Sequence, residues 1–158
     1  MGRNFTVRSL AANELSQAFP LVQAVAPEVT LDGWLQYADA VFAKGQSELG
    51  GIMSAYGQDG YIYGLFSFKI EHDLRYGRVL AVSNLVVLDL VDRHGARQAL
   101  IGAIDRLAQQ HVCDHSYVTV PHRGGAVAGA DIAMMDCLRL AGLEVSSLSL
   151  SKRMQRNG

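Results

Sequence analysis

Residues 79–110, VLAVSNLVVLDLVDRHGARQALIGAIDRLAQQ, run from an apolar segment through a short charged turn into a helix. Residues 79–90 carry apolar and β-branched side chains at both odd and even positions, which predicts a central strand covered on both faces. From Gly95 the spacing changes. Ala96, Ala99, Leu100, Ala103, Ile104 and Leu107 recur at three and four residues, the period of an amphipathic helix. The first N–H groups of a helix have no partner within it and carry the positive end of its dipole, so a strand-to-helix junction favours an anion, most often a phosphate. Residues 92–98 are therefore the first candidate ligand site. Arg93, His94 and Arg97 add positive charge there, and Asp92 opposes them.

Working outward, the chain of 158 residues has no long polar linker and no internal repeat, which predicts one domain over residues 1–158. It is 49% hydrophobic and 18% charged, with a formal charge of -1. That balance offers nothing to nucleic acid or to an anionic membrane and suits a small neutral or anionic ligand. No segment has the apolar length of a signal peptide or a membrane span, so a cytoplasmic location is expected and the triplet Asn4-Phe5-Thr6 carries no glycan. Cys113 and Cys137 are too few for a disulfide framework and read as reduced thiols.

On the N-terminal side, residues 5–10 alternate as a strand, and residues 13–26 place Leu15, Phe19, Val22 and Val25 on one helical face, with Pro20 expected to kink or divide the helix. Thr30 is placed to cap a second helix with Trp34, Tyr37 or Ala38, and Val41 along its stripe, ending at Lys44-Gly45. Residues 51–56 and 61–70 flank Gly57-Gln58-Asp59-Gly60, a hairpin signature, and residues 71–77 turn the chain into the central strand. Beyond the long helix follow a short strand at 116–120, a glycine-rich loop, and a helix capped by Asp131 with Ile132, Met135, Leu138 and Leu140 inward. A final strand is expected at 145–150, before a polar tail. The order β-α-α-β-β-β-α-β-α-β is that of an α/β domain with a mixed, mostly antiparallel sheet and flanking helices.

In this order of elements, Asn84-Leu85-Val86-Val87 followed by Asp92-Arg93-His94-Gly95-Ala96-Arg97-Gln98-Ala99-Leu100 resembles the GNAT superfamily of N-acetyltransferases. Gly95 matches the central glycine of the family's pyrophosphate loop, Arg93 and His94 occupy its variable pair, and Ala141-Gly142-Leu143-Glu144 resembles its C-terminal turn. Asp92 stands where Arg or Gln is usual, and Arg97 where a small residue is usual. Leu138 stands where many members carry the tyrosine that protonates the leaving thiolate, and Asp131 where many carry asparagine.

The resemblance implies a GNAT-like acyl-CoA N-acyltransferase fold and transfer of an acetyl or longer acyl group from acetyl-CoA to a primary amine, on a small molecule or a peptide. Under it, Leu85, Val86 and Val87 align the pantetheine arm. Arg93, His94, Gly95, Ala96, Arg97 and Gln98 hold the pyrophosphate. Arg97 is expected to lie outward, leaving the groove open. The acceptor enters near Trp34, Tyr37 and Asn84. No catalytic side chain is assigned, no metal is implied, and a homodimer is compatible with the resemblance. A non-catalytic acyl-CoA-binding or regulatory module of the same fold is the alternative, and a purely structural domain a third.

Other clusters read less sharply. His111, Cys113 and His115 alternate and would share a face in an extended segment, but no fourth metal ligand accompanies them. Glu71, His72 and Asp73 form either an acid-base group or a polar turn. Trp34, Tyr37, Tyr56 and Tyr63 read as core or groove walls, because no basic stripe accompanies them. No Walker loop, nucleophile elbow or zinc-finger spacing is present.

Overall fold

The computed structural model describes residues 4–45, 49–88, 95–120, 129–147 and 149–156. Over these residues the chain forms β1 (Thr6–Ser9), α1 (Leu15–Val25), α2 (Leu31–Gly45), β2 (Gly50–Tyr56), β3 (Ile62–Asp73), β4 (Gly77–Val87), α3 (Gly95–Gln110), β5 (His115–Val118) and α4 (Gly129–Leu140). The strands make one sheet in chain order. β1 to β4 are antiparallel neighbours, and β5 joins β4 in parallel after the crossover through α3. This is the mixed, mostly antiparallel α/β sheet expected from the sequence.

Each face of the sheet has its own core. Leu15, Ala18 and Leu21 of α1 and Trp34 and Ala38 of α2 pack over Ile52, Leu65 and Val86. On the opposite face Leu100, Ala103, Ile104 and Leu107 of α3 pack over Ala55, Phe66, Leu80 and Val82. β4 is thus covered on both sides, which is why its sequence is apolar without alternation. Thr30 caps α2 as expected, its Oγ1 accepting from the Gly33 N–H at 3.1 Å.

Several boundaries differ from the sequence reading. Pro20 lies inside α1 without dividing it, because Leu15, Ala18 and Leu21 bury one continuous face across the proline and outweigh one missing backbone bond. The expected turn at 71–77 is mostly strand. β3 and β4 stay in register to Asp73 and Gly77, leaving only Leu74, Arg75 and Tyr76 as the turn. α4 begins two residues before Asp131, which is therefore not its cap. Met134 and Leu138 face inward from α4, while Leu140 is 89% exposed. The expected final strand does not form among the described residues of 145–150. Val145 and Leu150 are 74% and 89% exposed, so burial gives that segment nothing with which to offset the entropy of ordering. No helix among the described residues is long and apolar enough to cross a membrane.

Candidate functional site

The site begins with one extra residue in β4. Ser83 pairs with Ser67, but Val86 pairs with Leu65, so Asn84 and Leu85 together oppose Phe66. This is a β-bulge, and Asn84 sits at its corner with φ 55°, in the left-handed region that asparagine tolerates better than most side chains. The insertion reverses the alternation of the strand. Before it Leu80 and Val82 face α3, and after it Val86 faces α1 and α2 while Leu85 and Val87 pack toward α3 and α4.

The same stretch of β4 is open along its other edge. β5 pairs with Val79, Leu80, Ala81 and Val82 only, and the last bond across runs from the Thr119 N–H to the Val82 carbonyl at 2.9 Å. Beyond it, no described strand pairs with residues 83–87 on that side. Such an edge offers backbone donors and acceptors to an extended ligand as a further strand would.

Gly95, Ala96, Arg97 and Gln98 form the first turn of α3. Arg93 and His94 lie outside the described residues. Ala96 is buried and Gln98 is exposed. Arg97 is only 3% exposed, so the expectation that it lies outward is overturned. It precedes Ile101 by one turn on the same helical face, and Ile101 packs with Met134 and Leu138, so the stripe that α3 buries extends back to Arg97. Gly64, which sequence reasoning did not single out, lets α3 approach the sheet. A Cβ there would stand 2.7 Å from Leu100 Cδ1 and 2.8 Å from the Val86 carbonyl oxygen.

On the other side of the bulge lies a cavity of about 440 Å³ whose lining includes Trp34, Tyr37 and Asn84. The structure thus brings together the three residues expected around an acceptor. The Tyr37 ring stacks on Trp34 with centroids 6.0 Å apart and planes at 23°. Asn84 Nδ2 donates to Tyr37 Oη at 3.0 Å, tying the bulge to α2, and the Trp34 indole N–H donates to the Leu15 carbonyl at 2.8 Å. Both aromatic rings are therefore held in place before any ligand arrives. Val86 also lines the cavity, so the backbone that carries the open edge is part of its wall.

Leu138 is 4% exposed, in a cluster with Ile101 and Met134 against which Leu85, Val87 and Val118 pack. It packs beside Leu85 and Val87 of β4 and Val118 of β5 and presents no proton donor there. The other clusters resolve as structure. His111, Cys113 and His115 do not share a face, because Val112 takes φ 52° and turns the chain. His111 lies beside Phe68, and His115 stacks on Tyr76. Among the described residues no three His, Cys, Asp or Glu side chains are placed to hold a metal ion.

Asp73 Oδ1 accepts from the Arg75 and Tyr76 N–H groups, and these bonds hold its carboxyl below the usual range. Glu71 pairs with Lys69 at 3.1 Å. Tyr56 and Tyr63 do not line the cavity. The Tyr56 hydroxyl donates to Glu14, and that of Tyr63 to Asp59.

No family model matches the sequence, and no curated protein matches it. Solved structures do match. An aminoglycoside N-acetyltransferase, AAC(6')-Iy, in complex with CoA superposes with a TM-score of 0.76 at 17% identity, over 99% of this chain and 98% of that one. Glucosamine-6-phosphate N-acetyltransferase from Arabidopsis thaliana gives 0.70 at 14% identity, over 96% of this chain and 99% of that one. Ribosomal-protein-alanine N-acetyltransferase from Brucella melitensis biovar Abortus 2308 gives 0.71 at 15% identity, with coverage of 96% and 99%. The five-stranded mixed sheet and its helices thus have the fold of the GNAT N-acetyltransferases.

Proposed function

We propose that the protein transfers an acetyl or longer acyl group from acyl-CoA to a primary amine on a small molecule or a peptide. The observation that carries this reading is the bulge at Asn84, whose one stretch of backbone serves both the open edge of β4 and the Trp34–Tyr37 cavity. An acyl-CoA laid along Leu85, Val86 and Val87 directs its pyrophosphate to the first turn of α3, from Gly95 to Gln98, where the helix dipole favours anions. The resemblance assigns Arg93 and His94, outside the described residues, to the same phosphate-binding role. The thioester then lies at the bulge, within reach of an amine in the cavity.

Transfer forms a C–N bond between the amine nitrogen and the thioester carbon, breaks the C–S bond, and moves one proton from nitrogen to the thiolate or to water. The Leu85 or Val86 amide stabilises the oxyanion formed on the way, and the walls of the cavity supply proximity. A thiol has a pKa of about 8.5, so the leaving group needs little help near neutral pH. Residues 1–158 are read as one domain acting in the cytoplasm. A homodimer is compatible with it.

Leu138 favours a second reading, an acyl-CoA-binding module without turnover, because the resemblance puts a thiolate-protonating tyrosine at this position and a buried apolar side chain stands there. Release of CoA, followed with a thiol reagent against a panel of amines beside a direct acetyl-CoA binding measurement, separates the two. The enzyme releases CoA above background, and Leu138→Tyr raises the rate by up to about 10²-fold. Tight acetyl-CoA binding with no release by either protein establishes the module instead.

A further inference from the structure

We propose that the cavity beside the bulge takes a monoamine with an apolar, preferably aromatic, body. This rests on the acyl-transfer reading for its role as the acceptor site and on the cavity's own chemistry for its selectivity. At about 440 Å³ the cavity falls in the size range of small-molecule sites. Its walls come from Val22 and Val25 of α1, Val29 before α2, Leu65 of β3 and the stacked pair from α2. Among the described lining residues the only ionic side chain is Glu28, and it is exposed at the rim.

That inventory discriminates between classes of amine. A polycation would bring several ammonium groups to a wall with one carboxylate, leaving the rest desolvated without partners. A sugar phosphate would bring an anion to a lining without lysine or arginine among the described residues. An apolar body replaces water at Val22, Val29 and Leu65, while its single ammonium meets Glu28 on entry and, once neutral, reaches the thioester at Asn84 and Val86. An aromatic body also gains the face of Tyr37, which is 37% exposed and held by Asn84.

The chain contains one tryptophan, Trp34, in the wall of this cavity, so its fluorescence reports occupancy independently of turnover. The full chain is titrated with phenethylamine, phenethyl alcohol, kanamycin and glucosamine 6-phosphate, and the same amines are assayed for CoA release. Phenethylamine should perturb Trp34 saturably at about tenfold or more lower concentration than kanamycin or the sugar phosphate, a margin of one buried, unpaired charge. Glu28→Gln should weaken phenethylamine by roughly two- to fivefold, as for an exposed ion pair, and leave phenethyl alcohol unchanged. Tighter binding of kanamycin or of the sugar phosphate overturns the proposal, as does a Trp34 signal that no probe changes. CoA release with kanamycin alone overturns it while upholding acyl transfer. Saturable phenethylamine binding, with no CoA release from any amine of the panel, upholds the selectivity and overturns acyl transfer.

Discussion

Arg8, Glu14 and Tyr56 fasten the first strand to the second at the far edge of the sheet. The Arg8 guanidinium lies 3.8 Å from the centre of the Tyr56 ring and 3.1 Å from one Glu14 oxygen, and the phenol donates to the other. Burial, then the Glu14 carboxylate, pushes the Tyr56 phenol up to about 12, while the Tyr56 hydrogen bond, then Arg8, holds Glu14 below the usual carboxylate range. A raised phenol stabilises the fold fully below its unfolded pKa of about 10 and ceases to do so as pH rises through the folded value. Denaturant unfolding should therefore show stability falling above about pH 10 in the parent, and a weaker fall in Tyr56→Phe. A lowered carboxyl has the opposite sign, so Glu14 contributes above its unfolded pKa and its share is lost as pH falls through the folded value.

Val112 carries strain of a different kind. It follows α3 with φ 52°, in a cap where the Cys113 N–H reaches the Ala108 carbonyl at 2.8 Å. The end of α4 makes the same closure from the Leu143 N–H to the Leu138 carbonyl, with Gly142 at the left-handed position. A β-branched residue there costs about 1–2 kcal/mol, so Val112→Gly should raise stability by about 1 kcal/mol and the thermal midpoint by a few degrees. An unchanged or lower midpoint would mean that the cap is not strained.

Among the elements, the pairing of β4 with α3 determines the site, and Gly64 sets how closely α3 can approach. Gly64→Ala would press a methyl group against both Leu100 and the Val86 carbonyl, and overpacking of this sort costs about 1–3 kcal/mol. Urea unfolding should show that loss, and acetyl-CoA affinity should fall with it because Leu100 lies in the second turn of α3, directly behind the first. The strand and the helix were legible in the sequence, since an apolar run without alternation followed by a change of period has few other solutions. The bulge was not. Asn84 looks like an ordinary strand position, and only the pairing of Val86 with Leu65, a contact distant in sequence, reveals the extra residue. Thr30 was legible as a cap because capping is local. Asp131 was misread because its helix starts earlier than any local signal indicates.

At the scale of the molecule, the cavity gathers residues from α1 and α2 and from β3 and β4, two pairs of elements separated in the chain by β2. Trp34 and Tyr37 could be named in advance because aromatic residues on a helical stripe stand out, and Asn84 only through the resemblance that places the acceptor beside its strand. Val22, Val29 and Leu65 could not, since any core uses such residues. Arg97 was misplaced because a charged side chain in a first turn is ordinarily solvated, and its burial follows from the way α3 packs beside α4. Replacing Arg97 with alanine should accordingly cost about 2 kcal/mol of stability through lost packing, beyond any effect on ligand affinity.

Acyl-CoA along the open edge of β4, with its pyrophosphate at the start of α3, is the arrangement on which the proposed transfer depends. A backbone-amide NMR titration with acetyl-CoA tests it residue by residue. Saturable shifts should concentrate at Leu85, Val86 and Val87 and at Gly95, Ala96, Arg97 and Gln98, and be absent in a folded Gly95→Asp variant that sets bulk and negative charge against the phosphates. Shifts confined to other parts of the chain, or a folded Gly95→Asp variant that still shows the full set, would contradict it.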